Sequence, residues 1–335
     1  MRNLRFRIPC KKLPFPPGRG SDGEFLGMEK SQSELKAIVF NIVHGSFVDG
    51  YGIRTTVFLK GCPLKCKWCC NPEGQKYEPE LKYTEAHCNG CMKCIDACPE
   101  GAIVKSENGE KIEINREKCT NCMKCVDSCY LNALEKFGTF YTVDELFAIL
   151  RKDASYYKAS GGGVTIGGGE ASVWSEYVLA LVKKCKENFI HVAIDTCGYT
   201  VSEKAFEALS QADLLLYDIK GMDPAVHLEN TGKTNELILE NLKKLDALNV
   251  PTIIRMPLIP GYNVTAEGVR AAAEFLSGLK NLDRVDLMNY HEFGKSKYEQ
   301  LGMDYVVESA PLSEEQLAEI TAVFAEYGIK TQIGG

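Results

Sequence analysis

Two stretches of this chain, CNGCMKCIDACPE and CTNCMKCVDSCYL, repeat one spacing, C-x2-C-x2-C-x3-C. The first run holds Cys88, Cys91, Cys94 and Cys98, the second Cys119, Cys122, Cys125 and Cys129. In a run of this kind three thiolates wrap one four-iron cube, and the fourth cysteine points away to ligate the other cube. The spacing therefore assigns Cys88, Cys91, Cys94 and Cys129 to one [4Fe–4S] cluster, and Cys98, Cys119, Cys122 and Cys125 to a second. Pro99 follows the first run as that pattern expects, while Tyr130 stands where the second would carry its proline. A pair of zinc sites is the competing reading, and eight cysteines at this spacing, twice over, weigh against it.

A third motif lies upstream. FLKGCPLKCKWCCNPE places Cys62, Cys66 and Cys69 at C-x3-C-x2-C. A cube has four irons, so three cysteines leave one iron with an open position, which is where a metal site binds substrate or cofactor. This motif reads as a reaction centre and the other two as closed sites. Trp68 beside it fits an aromatic ligand and a core-packing role equally well. The chain has 15 cysteines. Neighbours two or three residues apart are poorly placed to pair as disulfides and well placed as metal ligands, which implies a reducing cytoplasm. Cys10, Cys70, Cys185 and Cys197 fall outside the ligand sets, and Cys185, within a helical pattern, reads as a small core residue.

Residues 1–35 are expected to form a disordered tail, since the first 27 are basic and rich in Pro and Gly without a secretory pattern. A transit peptide and a natural start at Met28 are the rival readings. Residues 78–138 hold the two closed motifs with little periodicity, and read as an inserted small domain like a bacterial ferredoxin. The flanking segments, 36–77 and 139–335, alternate short apolar runs with helical patterns. The runs are RTTVFLKG, GGVTIGG, HVAIDT, LLLYDIK, PTIIRMPLI and RVDLMNYH. TVDELFAILRKDASYY opens the first long helix, with Thr142 as cap and an acid three residues on. About six such units predict an α/β fold, a partial (β/α)6 TIM-like barrel with its chemistry at the carboxyl ends of the strands. No apolar run reaches membrane-spanning length. With 39 basic and 45 acidic residues and no basic stripe, nucleic acid is excluded as a partner.

From about residue 36 to its end the chain resembles the radical S-adenosylmethionine (SAM) superfamily, and within it the activating enzymes of glycyl radical enzymes. The likeness is carried by DGYGIRTTVFLKGCPLKCKWCCNPE, GGGVTIGGGEAS, DTCGY, YDIKGMD, RMPLIPGYN and LMNYHEFGKSKYEQLG, in that order. The two-cluster insert is similar to that of the longer members, of the type that serves dehydratases, decarboxylases and C–N or C–S lyases. The resemblance implies that SAM chelates the open iron, is cleaved by one electron to methionine and a 5′-deoxyadenosyl radical, and that this radical takes hydrogen from a backbone glycine of a partner enzyme. It places Trp68, Cys69, Cys70, Gly168, Gly169, Glu170, Asp218, Ile219, Lys220, Arg255 and His291 around SAM. Gly168 and Gly169 permit close backbone approach, Glu170 suits the ammonium, Lys220 and Arg255 suit the carboxylate, and His291 lies near the adenosyl group. Asp195, Thr196 and Asp218 are implied as holders of a monovalent cation, although Asp195 also fits a solvated strand end. The chain departs from the family's usual residues at Tyr51 (proline), Cys70 (histidine) and Gly167 (serine). Tyr51 lies in a loop that faces the partner's glycine loop in relatives.

A flavodoxin or ferredoxin is the expected electron donor and a monomer the expected state. The insert reads either as an electron relay or as a platform for the partner. A radical SAM enzyme acting directly on a small molecule or peptide is the alternative function. A plain electron carrier is excluded by the incomplete cysteine set and the long barrel after the insert. The partner's own substrate leaves no trace in an activator that touches only its glycine loop.

Overall fold

The computed structural model describes residues 35–334. The expected tail, the Met28 start and Cys10 lie outside the described residues. The strands, in chain order, are β1 (Lys36–Ser46), β2 (Arg54–Leu59), β3 (Glu80–Tyr83), β4 (Ile103–Lys105), β5 (Ile112–Ile114), β6 (Leu134–Phe137), β7 (Thr139–Thr142), β8 (Gly163–Gly168), β9 (His191–Thr196), β10 (Leu214–Asp218), β11 (Thr252–Leu258), β12 (Leu282–Asn289) and β13 (Thr331–Ile333). Nine of them form one sheet in the order β13-β12-β11-β10-β9-β8-β2-β1-β7. From β2 to β13 all neighbours are parallel, and β1 runs antiparallel to both β2 and β7. The six apolar runs are all strands of this sheet. The sequence reading missed β1, β7 and β13. The last two are short, and β1 sits ahead of any helical partner, so neither length nor alternation marked them.

Helices connect the parallel strands because the intervening segments carry one apolar stripe each. Thr142 caps the helix Val143–Leu150: its hydroxyl accepts from the Glu145 amide at 3.1 Å, and the Glu145 carboxylate accepts from the Thr142 amide at 2.8 Å. Such caps stabilise a helix by about 1 kcal/mol. The helices Ser175–Glu187, Glu236–Ala247 and Ala266–Ser277 bury Leu181, Cys185, Leu242, Leu245, Ala272 and Leu276 against the outer face of the sheet.

Alternation along the strands then decides what faces inward. On β9, Val192 and Ile194 join the outer core, so Ala193 and Asp195 face the lumen. On β10, Leu215 and Tyr217 point out, and Leu214, Leu216 and Asp218 point in. On β11, Ile254 and Met256 point out, and Ile253 and Arg255 point in. Ala193, Leu214, Leu216 and Ile253 make an apolar floor. One pleat further toward the carboxyl ends, Asp195, Asp218 and Arg255 stand above it. The ladder pairs Leu216 with Asp195 and Asp218 with Arg255.

Between β2 and β7 the chain builds two small antiparallel pairs, β3 with β6 and β4 with β5. Their core is Leu81, Cys94, Ile103, Ile112, Cys125 and Leu134. Lys60 leaves the barrel at the end of β2 with no exposed side-chain surface, and its ammonium donates to Glu80 Oε2 at 2.9 Å and to the Glu73 carbonyl at 2.5 Å. Arg116 donates to the Leu81 carbonyl at 2.5 Å and to the Gln300 carbonyl at 3.0 Å. No described helix is long and apolar enough to cross a membrane.

Candidate active site

Immediately after β2 the chain turns into the three-cysteine loop, held in place by backbone bonds from several elements. Gly61 donates to Gly74, Cys62 to Gln75, Lys65 to Thr231 and Lys67 to Asn230, at 2.7–3.2 Å. Lys297 donates to Asn71 Oδ1 at 2.7 Å and pairs with Glu73 at 2.8 Å, which ties the loop to the segment after β12. Cys62, Cys66 and Cys69 line one cavity of about 290 Å³ at the carboxyl ends of the strands. The same cavity is lined by Trp68, Cys70, Gly168, Gly169, Asp195, Thr196, Asp218, Lys220, Arg255 and His291. Burial pushes the thiols of Cys62 and Cys66 above their ordinary value and that of Cys69 up to about 11.

The eight cysteines of the insert divide between two cavities. One cavity is lined by Cys88, Cys91, Cys94 and Cys129, and a separate one by Cys98, Cys119, Cys122 and Cys125. The last cysteine of each run thus faces the first three of the other. Among the described residues no group of three His, Cys, Asp or Glu side chains is placed to hold a single metal ion.

Two positive side chains meet the cysteines across the large cavity. Lys220 donates to Asp218 Oδ2 at 2.6 Å. Burial alone would lower its pKa, but the adjacent Asp218 carboxylate opposes burial and the net shift is upward. Arg255, 8% exposed, approaches Asp195 at 3.3 Å and Asp49 at 3.4 Å and donates to the Val48 carbonyl. Its Nε is buried without a hydrogen-bond partner among the described residues. An unpaired buried donor costs about 1–3 kcal/mol, so an arginine lining a cavity with a spare N–H fits an anionic ligand such as an amino-acid carboxylate. Burial, with Asp218 and Asp49 adding and Arg255 opposing, pushes Asp195 up to about 7.

Several expected contacts are corrected. Glu170 is 1% exposed and does not line the cavity: its carboxylate accepts from Ser172 N, Thr196 Oγ1 and Cys197 N at 2.7–2.9 Å. It ties β8 to β9 instead of facing a ligand, because three nearby donors satisfy it. Ile219 packs in the outer core, so its side chain does not reach the cavity. Gly168 and Gly169 line the cavity, but their lack of a side chain first serves the protein. A Cβ on Gly168 (φ +119°) would lie 2.2 Å from Leu59 N, and one on Gly169 would lie 2.3 Å from the Gly74 carbonyl. The cysteine loop can leave β2 only across bare backbone. Of the residues named around a cation, Asp195 pairs with Arg255 and Asp218 with Lys220, and Thr196 donates to Glu170.

Trp68 combines both of its readings. It packs with Ile259, Tyr290 and Val307, and it also lines the cavity. His291 is exposed and stacks on Phe293 at 4.3 Å. The departures also find places. The Tyr51 hydroxyl donates to Asp283 at 2.6 Å, with Arg284 over its ring, so the loop before β2 is strapped to β12. A side chain at Gly167 would meet the Asp195 Cβ at 2.9 Å. Cys70 lines the cavity and is exposed. Asp49, Asn289 and Tyr290 line it too and were not singled out from the sequence, and so does Cys197, one of the cysteines outside the ligand sets. Asp49 sits in the matched DGYG stretch, which was its one available signal.

Residues 116–276 match the radical SAM superfamily, residues 80–130 a 4Fe-4S dicluster domain and residues 48–103 a 4Fe-4S single cluster domain. The chain is 46% identical over 305 residues to a trans-4-hydroxy-L-proline dehydratase activating enzyme of Clostridioides difficile, spanning 90% of this chain and 100% of the relative. It is 41% identical over 305 residues to a choline trimethylamine-lyase activating enzyme of Oleidesulfovibrio alaskensis, spanning 90% and 98%. Streptococcus suis SuiB, solved bound to precursor peptide SuiA, overlays 82% of this chain and 46% of its own with a TM-score of 0.50 at 14% identity, a likeness of fold alone.

Proposed function

The chain belongs to the radical SAM enzymes that activate glycyl radical enzymes, and from that membership we propose how its residues divide the work. It is an oxidoreductase: reductive cleavage of SAM yields a 5′-deoxyadenosyl radical, which abstracts hydrogen from a backbone glycine of a partner glycyl radical enzyme. Three [4Fe–4S] clusters are proposed, on Cys62/Cys66/Cys69, on Cys88/Cys91/Cys94/Cys129 and on Cys98/Cys119/Cys122/Cys125. Cys62, Cys66 and Cys69 would hold a cluster with one iron left open, which would supply one-electron chemistry beside the bound SAM. Lys220, oriented by Asp218, and Arg255, oriented by Asp195 and Asp49, neutralise the carboxylate. Trp68 and Tyr290 wall the cavity against water, and His291 stands at its rim for the adenosyl group. The two insert clusters relay electrons from a flavodoxin or ferredoxin, and the enzyme works as a cytoplasmic monomer.

One observation carries this reading: the three-cysteine loop and the pair Lys220 and Arg255 line a single cavity. The test mixes anaerobically reconstituted protein, SAM and reductant with glycyl radical enzymes, beginning with a hydroxyproline dehydratase and a choline lyase. The expected result is a glycyl radical signal by electron paramagnetic resonance, with one 5′-deoxyadenosine formed per radical. SAM cleavage without a radical on any such partner, but with modification of a small molecule or peptide, would overturn it in favour of direct action.

A further inference from the structure

The two cysteine sets of the insert are not equivalent in position. Strand β3 leaves the barrel at Glu80, which binds Lys60, two residues before Cys62. One residue on, Leu81 lines the cavity of Cys98, Cys119, Cys122 and Cys125. The Leu81 amide donates to Asn121 Oδ1 at 3.0 Å, and its carbonyl accepts from Arg116, which also holds Gln300 of the barrel. The cavity of Cys88, Cys91, Cys94 and Cys129 begins two residues further along the strand, at Tyr83 and its β6 neighbour Leu134. At about 3.3 Å per residue that is roughly 7 Å farther from the barrel. Among the described residues the insert alone lines either cavity, and exposed Tyr130 and Leu131 line this outer one.

We propose that Cys98, Cys119, Cys122 and Cys125 form the inner electron station and Cys88, Cys91, Cys94 and Cys129 the outer one, with Asn121, Leu81, Glu80 and Lys60 as the bonded bridge to Cys62. The inference rests on the three-cluster relay reading. Tunnelling decays less steeply through bonds and hydrogen bonds than across gaps, and this bridge is continuous: covalent chain from Cys62 to Lys60, one hydrogen bond to Glu80, covalent chain to Leu81, one hydrogen bond to Asn121, then covalent chain to Cys119 and Cys122. A low-potential one-electron protein donor loses one electron at the outer end. The SAM sulfonium gains it, the C5′–S bond breaks, methionine keeps the sulfur lone pair and the unpaired electron stays on C5′. No proton crosses the bridge.

The test uses the full reconstituted chain, reduced with SAM present, and reads the microwave-power saturation of the paramagnetic resonance from the SAM-bound cluster. A nearby paramagnetic cluster speeds relaxation. Cys122→Ala and Cys91→Ala each remove one exposed ligand, from the inner and outer sets respectively. The relaxation enhancement is expected to be lost in Cys122→Ala and kept in Cys91→Ala. The reverse pattern would overturn the order. Asn121→Gly spares every ligand and suits the left-handed backbone there (φ 51°). It is expected to keep the full iron content while slowing, severalfold, electron equilibration between clusters after flash reduction. An unchanged rate would overturn the bridge. If the spectra keep the order but Cys122→Ala cleaves SAM at the parent rate with the protein donor, the relay reading fails and the placement stands.

Discussion

Replacing Glu80 by alanine strands a buried ammonium. Lys60 has no exposed side-chain surface and Glu80 only 5%. Burial already holds the Lys60 pKa below its ordinary 10.5, and Glu80 is what opposes that fall. Removing one partner of a buried ion pair costs about 3–5 kcal/mol. The Glu73 carbonyl remains as one acceptor, so the lower end, about 3 kcal/mol, is the expected loss. For a chain of this size that lowers the thermal midpoint by about 5 °C. The deficit depends on pH with a definite sign. Between its depressed folded value and 10.5, Lys60 holds fewer protons folded than unfolded, so stability rises with pH across that window. Losing Glu80 pushes the folded value lower and widens the window, so the deficit of Glu80→Ala shrinks as the pH rises. Anaerobic melting followed by circular dichroism, at pH 7 and pH 9.5, measures both effects. A double replacement, Lys60→Met with Glu80→Leu, is expected to recover much of the loss, since apolar pairs of similar volume replace buried ion pairs at little cost. A Glu80→Ala midpoint within about 1 °C of the parent, or a deficit that grows with pH, would refute the reasoning.

Cys66→Ala is expected to abolish 5′-deoxyadenosine formation and to lower iron from about twelve to about eight per chain, by iron analysis and chromatography. Gly168→Ala puts a methyl 2.2 Å from Leu59 N at φ +119°, and is expected to cost at least about 3 kcal/mol or to yield no soluble protein in expression trials. Arg255→Lys loses the fork that spans Asp195 and Asp49 together with its spare donor, and is expected to raise the KM for SAM about tenfold with less effect on kcat, by steady-state kinetics. Phe47 is 73% exposed in the loop strapped down by Tyr51, where an apolar side chain suits contact with a partner protein. Phe47→Asp is expected to leave partner-free SAM cleavage unchanged while lowering the glycyl radical yield, measured by spin quantitation.

What the sequence determined by itself was whatever is written within a few residues. Thiolate spacing of two and three residues sets which side chains can wrap one cluster, so Cys88 to Cys94, Cys119 to Cys125 and the incomplete triad at Cys62 were legible. So were the Thr142 and Glu145 capping box and the six parallel strands, because a cap spans one helical turn and a buried strand is one continuous apolar run. The cavity was legible only in part. Period two places Asp195, Asp218 and Arg255 on the inner face, but it does not say what stands opposite. Tertiary structure alone brought Asp49 against Arg255 from 206 residues away, strapped Tyr51 to Asp283, and set Lys60 against Glu80 where the insert joins the barrel. It also decided against local expectation at Glu170 and Gly168. A carboxylate goes to the donors nearest it, and here those are Ser172, Thr196 and Cys197 rather than a ligand. A glycine is required where two backbones touch, and here the second backbone is β2 itself. Local spacing fixes which groups a segment presents; only the packing of distant segments fixes which partner satisfies them, since burial and hydrogen bonding are properties of the surfaces that meet.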